Sequence, residues 1–206
     1  MQLLEPVLLI AVLIFSVIIH EVSHGYVANL LGDPTARLEG RLSLNPLKHL
    51  DWYGSVVVPG LLIFFGGFIF GWAKPVPYNP HQLRGGKWGP AWVALAGPAS
   101  NLLIALIFSL TLRFAAINAL LSAPTLQFLV SIIALNLTLA VFNMVPVPPL
   151  DGSKVLFAAL PYRYRAVEAW FTRNQLLVMI ILLVIVLNTS IVPSLVGFLL
   201  RLLIGI

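Results

Sequence analysis

The sequence predicts an all-α polytopic membrane protein, and three observations carry the prediction. Of its 206 residues, 60% are apolar and 9% charged, with a mean hydropathy of +1.00; soluble domains are usually about 45–50% apolar and about 25% charged. The apolar residues gather into runs over residues 7–31, 55–71, 90–117, 127–145 and 176–206, near or above the roughly 20 residues that a spanning helix needs. Between the runs lie short polar stretches punctuated by Pro and Gly, which stop helices. The length suits a single integral membrane domain, residues 1–206, with the lipid bilayer as its obligatory partner. The formal charge of +5 is spread over short loops, so it reports on topology, and no nucleic-acid partner is expected. With no cysteine in the chain, thiolate metal ligands and disulfides are excluded.

The first helix is expected from Pro6, a good first helical residue, to Leu31, with Gly32-Asp33-Pro34 as its stop. Glu5 stands where a basic leader region would be, so a cleaved signal peptide is not expected. Inside this helix lies Ile18-Ile19-His20-Glu21-Val22-Ser23-His24-Gly25. Four residues apart, His20 and His24 stand one turn above each other on one face. Two imidazoles so placed can bind one Zn2+, and Glu21, rotated about 100° from His20, can reach a water in an open coordination position. That is the H-E-x-x-H arrangement of metal-dependent peptide hydrolysis. Ionisable residues within a membrane-length segment are costly and mark function by default; the competing reading is a polar patch that holds helices together.

Residues 32–52 set Arg37, Arg41 and Lys48 against Asp33, Glu39 and Asp51, and His49 reads as an interfacial loop residue in preference to a ligand. The run 55–71 is barely long enough to cross a bilayer, and Pro59-Gly60 and Gly66-Gly67 interrupt it, as suits a re-entrant element. In 72–89, Pro75, Pro77 and Pro80 forbid a helix and favour a short extended hairpin, with His81 solvated just beyond. The 90–117 segment opens with Ala96-Gly97-Pro98-Ala99-Ser100-Asn101. Its small residues permit close helix approach, and Asn101 can hydrogen-bond across a helix pair; packing and catalytic roles both stay open for it. The 127–145 helix ends in Phe142-Asn143-Met144-Val145-Pro146-Val147-Pro148-Pro149-Leu150-Asp151-Gly152, where three prolines unwind the backbone. Asp151 can therefore be aimed at a site instead of at lipid. Residues 161–174 are basic and aromatic, as at a membrane interface. The last run holds one spanning helix, interrupted at Asn188-Thr189-Ser190 and Pro193.

With His20-Glu21-Val22-Ser23-His24 in the first apolar run and Asn143 to Gly152 about 120 residues later, the chain resembles the site-2 protease family of intramembrane zinc metalloproteases. The second stretch is similar to that family's N-x7-D-G signature, and the Ala96–Asn101 element to a third, less specific one. The resemblance covers about residues 10–160. It implies a three-helix core over about 6–160, made of the H-E-x-x-H, A-G-P-x-x-N and N-x7-D-G helices, followed by a C-terminal helix region at 161–206. It also implies His20 and His24 as zinc ligands, Asp151 as the third, one Zn2+ per chain, and Glu21 as the catalytic acid and base. Asn143 would position or stabilise the scissile carbonyl. The implied activity is cleavage of peptide bonds within transmembrane segments of membrane proteins, by a compact subgroup without PDZ or cystathionine-synthase-type domains.

Two other functions use the same residues: a metal-binding membrane transporter and a non-catalytic membrane scaffold. Transporters tend to carry inverted repeats, and this sequence has no internal repeat; a scaffold needs no Glu21. Loops 32–52, 73–89 and 161–174 each carry three Lys or Arg residues and 118–126 carries none. The basic loops are therefore expected in the cytoplasm, with the site nearer that face of a prokaryotic plasma membrane. Residues 55–71 should then enter and leave on one side. The 55–80 region is the expected place for gating, or for pairing with an unwound substrate strand.

Overall fold

The computed structural model describes residues 4–51, 74–117 and 122–205, together with positions 54, 57, 60, 61 and 64. Helix α1, Leu4–Leu30, ends where glycine takes a conformation other residues resist: Gly32 has φ +107°. The Gly32 and Asp33 amides donate back to the carbonyls of Asn29 and Ala28. Helix α2, Gly89–Ile117, carries Pro98 without breaking, and helix α3 is Ala123–Asn143. These three helices are long and apolar enough to cross a membrane. Ile10, Phe15, Leu103 and Phe114 point outward from them, as lipid-facing side chains do. The chain is an integral membrane protein.

Helices α1 and α2 run antiparallel, since Ser16, His20 and His24 meet Asn101 and Val93 in reverse order. Helix α3 returns beside α2, so the end of α1, the start of α2 and the end of α3 share one end of the bundle. Three short helices and a last one follow: α4 (Asp151–Ala159), α5 (Arg165–Arg173), α6 (Gln175–Asn188) and α7 (Ile191–Ile204). Helix α7 places Val196 in a core with Ala105, Leu112, Ile133 and Leu137.

The single spanning helix expected in the last run is instead the pair α6 and α7. At 14 residues each, they are about 21 Å long, short of the roughly 30 Å hydrocarbon layer. The break falls at Asn188-Thr189-Ser190. There the Asn188 amide donates to the Val184 carbonyl and Thr189 is extended, with φ −126° and ψ 155°.

No strand forms among the described residues, so the hairpin expected at 72–80 is not seen in them. The prolines explain why: they have no N–H, and three of the remaining amides find partners elsewhere. The Lys74 amide donates to the His49 carbonyl, that of Val76 to Glu21 Oε2 at 2.9 Å, and that of Asn79 to Asp33 Oδ2 at 2.5 Å. Asp33, fully buried, also accepts from the Thr35 amide and hydroxyl. Burial would raise its pKa, but the bonds from Thr35 and Asn79 prevail and hold the carboxyl below its usual range. The Arg41 guanidinium donates to the carbonyls of Lys48, Lys74 and Pro75. With the Arg84 amide on the Leu31 carbonyl, the chain leaves α1 and re-enters α2 at the same end of the bundle. The re-entrant element expected at 55–71 lies outside the described residues, apart from its isolated described positions.

Candidate metal centre

Where α1 crosses α2, the helices must come close. A β-carbon on Gly97 would lie 2.6 Å from His20 Cε1 and 2.6 Å from His24 Cε1, and would collide with His20 Nε2. Glycine at 97 is what lets both imidazoles stand between the helices. They are buried, with ring centroids 4.7 Å apart and planes at 87°.

Each ring is oriented through Nδ1. That of His24 lies 2.7 Å from the Val93 carbonyl oxygen, which can only accept, so His24 carries its proton on Nδ1 and its lone pair on Nε2. That of His20 lies 2.6 Å from Asn101 Oδ1. The Asn101 amide is itself aligned, because its Nδ2 donates to Asn136 Oδ1 at 3.0 Å and the Asn136 amide donates to the Ile132 carbonyl. Asn101 and Asn136 are fully buried, so this relay runs from α1 through α2 to α3 without solvent. Asn101 therefore orients an imidazole. The sequence reading did not single out Asn136; the signal that could have found it is an amide midway along a membrane-length apolar run, a residue type that is rare there without a partner.

Into the space faced by the two Nε2 atoms comes Asp151. Its Oδ2 lies 3.1 Å from His20 Nε2 and 3.2 Å from His24 Nε2. The prolines after α3 turn the chain, and Gly152 lets α4 begin against the Met144 carbonyl, where a β-carbon would clash. As the first residue of α4, Asp151 also meets the positive end of the helix dipole. Its Oδ1 accepts from Lys154 Nζ at 3.3 Å.

Two imidazole lone pairs and a carboxylate oxygen fit a divalent transition metal. Donors about 2.0–2.1 Å from a tetrahedral ion stand about 3.3 Å from one another, close to the separations seen. Glu21 also offers an oxygen within 4.8 Å of the imidazole nitrogens. Asp151 is the better third donor, since its Oδ2 faces both Nε2 atoms at once while Glu21 Oε2 is engaged by the Val76 amide. That leaves Glu21 beside the centre, with its Oε2 held by the Val76 amide.

The remaining residues singled out from sequence stand apart. Asn143 closes α3, and its amide donates to the Leu139 carbonyl at 2.9 Å. His49 is buried and held by the Ser43 carbonyl, and His81 is exposed on its loop. Asn101→Leu should lower metal affinity roughly 10–100-fold, as loss of a ligand's outer partner does. Competition against a chelating dye measures this, and unchanged affinity would show that the relay does not orient His20.

The profile of peptidase family M50 matches residues 114–186. The chain is similar to YwhC of Bacillus subtilis, at 42% identity over 163 residues, 77% of this chain and 71% of that protein. It is also similar to Rip2 of Mycolicibacterium smegmatis, at 33% identity over 184 residues, 88% of this chain and 69% of that protein. Both relatives are provisionally named zinc metalloproteases. No solved structure matches the chain.

Proposed function

The chain belongs to peptidase family M50 and is a zinc metalloprotease, and from that premise we propose that it is an intramembrane endopeptidase, cutting peptide bonds within transmembrane segments of membrane proteins. One observation carries the proposal: His20, His24 and Asp151 converge on one point between helices long enough to span a bilayer. A hydrolytic centre at that depth suits a substrate that is itself embedded.

His20 and His24 through Nε2, and Asp151 through Oδ2, would hold one Zn2+ per chain. The zinc supplies Lewis acidity toward the attacking water and the scissile carbonyl. Three protein donors leave one coordination position open, as in catalytic sites. Glu21 takes the water's proton and returns it to the leaving amine. The Val76 amide keeps that carboxylate turned toward the centre. Asn143 would stabilise charge on the carbonyl oxygen, for which its amide must exchange the Leu139 carbonyl for substrate.

A substrate helix bonds its own carbonyls, so it must unwind before attack. The proline-rich backbone of 74–79, which meets Glu21 through the Val76 amide, is the proposed contact for the unwound strand. The centre is proposed to lie nearer the cytoplasmic face, on the asymmetry of Lys and Arg between loops; cysteines placed at 40 and 84 should label from that side and one at 122 from the other. For the activity, the reconstituted protein should cut a membrane-embedded peptide inside its span, stop on chelation and resume when zinc is restored. Cleavage confined to loops outside the bilayer would overturn the intramembrane reading.

A further inference from the structure

Beside α4, three cations from separate elements face one cavity. Lys87 precedes α2, Lys154 lies on α4 and Arg165 opens α5; with Tyr162, Tyr164 and a single carboxylate, Glu168, they line a space of about 230 Å3. We propose that this cavity binds the phosphate of an anionic phospholipid headgroup.

The charges are unbalanced in a way that an anion would correct. Lys154 is paired with Asp151, but Lys87 and Arg165 have no carboxylate partner among the described residues. Both rest on the ring of Tyr162, at 5.7 and 4.5 Å from its centroid. A cation on an exposed aromatic face is weakly held, whereas its hydrogen bonds to a phosphate oxygen are charge-assisted and short. The aromatic ring thus keeps the two cations over the cavity without neutralising them.

Placement selects a lipid over a soluble phosphate. The cavity sits at the end of the bundle where α2 starts and α3 ends, hence at a membrane surface. Helix α5 is bent by 79° from the apolar α6, and Trp170, Tyr162 and Tyr164 are exposed along this segment, the side chains typical of headgroup depth. Phe157 and Leu160 supply an apolar wall, suited to the glycerol and upper acyl carbons. Lys154 would then stand between the lipid phosphate and Asp151, joining the headgroup to the metal centre through one ammonium.

The test reads lipid binding and so stands apart from the protease reading. Purified protein is titrated with phosphatidylglycerol or phosphatidylcholine, and bound lipid is counted by native mass spectrometry. Wild type should prefer phosphatidylglycerol, and Lys87→Gln with Arg165→Gln should lose that preference by roughly ten- to thirtyfold, given the attraction of each basic residue to anionic lipid. The charge-preserving pair Lys87→Arg and Arg165→Lys should keep it. Equal retention of phosphatidylglycerol in the Gln pair would overturn the proposal. Displacement of the lipid by equimolar inorganic phosphate would overturn it as well, by assigning the cavity to a free anion.

Discussion

Glu21→Gln is expected to leave the fold and the bound metal in place and to slow peptide cleavage by about 10²–10⁴-fold, the usual contribution of one general base. The substitution is close to isosteric. Its amide oxygen can still accept the Val76 N–H that engages Glu21 Oε2, so the 74–79 segment keeps its anchor. The proposed metal donors are untouched, because Asp151 Oδ2 faces both Nε2 atoms. What disappears is the ability to take a proton from water. Elemental analysis should return about one zinc per chain, as a single three-donor site implies, while a transmembrane substrate stays intact. Wild-type turnover by this variant would refute the assigned role, and parallel loss of zinc would make Glu21 a ligand instead.

Asp151→Ala should have the largest effect on the metal itself. It removes the proposed third ligand, so the loss of affinity should exceed the roughly 10–100-fold seen when only a ligand's outer partner is removed. The change also leaves Lys154 without its carboxylate at 3.3 Å, adding an uncompensated cation beside the two imidazoles. Purified variant should therefore carry well under one zinc per chain and be inactive, with its helicity unchanged by circular dichroism. Gly152 and the proline turn, which set the start of α4, remain. Full zinc occupancy in this variant would take Asp151 out of the centre and pass the third place to Glu21.

The histidine pair was legible in the sequence because its geometry is local. Residues four apart on a helix share a face whatever the helix packs against, and an apolar run of membrane length specifies that helix. The stop at Gly32 was legible for the same reason, a single residue suited to positive φ. The break at Asn188-Thr189-Ser190 could be seen, but not its consequence, two short helices in place of one span. That outcome depends on α7 packing against α2 and α3. The hairpin expected at the prolines is not seen among the described residues, on a similar ground: amide partners came from Glu21, Asp33 and His49, residues far away in sequence.

At the centre, sequence alone determined which side chains had metal-binding and proton-accepting chemistry, and that they lay within or beside spanning helices. Tertiary structure decided how they meet. Asp151 reaches His20 across 131 positions of sequence, and Asn101 reaches it across 81. No periodicity encodes such distances. They are set by the close crossing that Gly97 permits and by the turn that delivers α4. The tautomer of each imidazole follows from the acceptor at its Nδ1, a carbonyl at Val93 and an amide oxygen at Asn101. Inside a bilayer each buried polar group must find a partner within the protein. That requirement draws the Asn101–Asn136 relay together, and with it the orientation of His20.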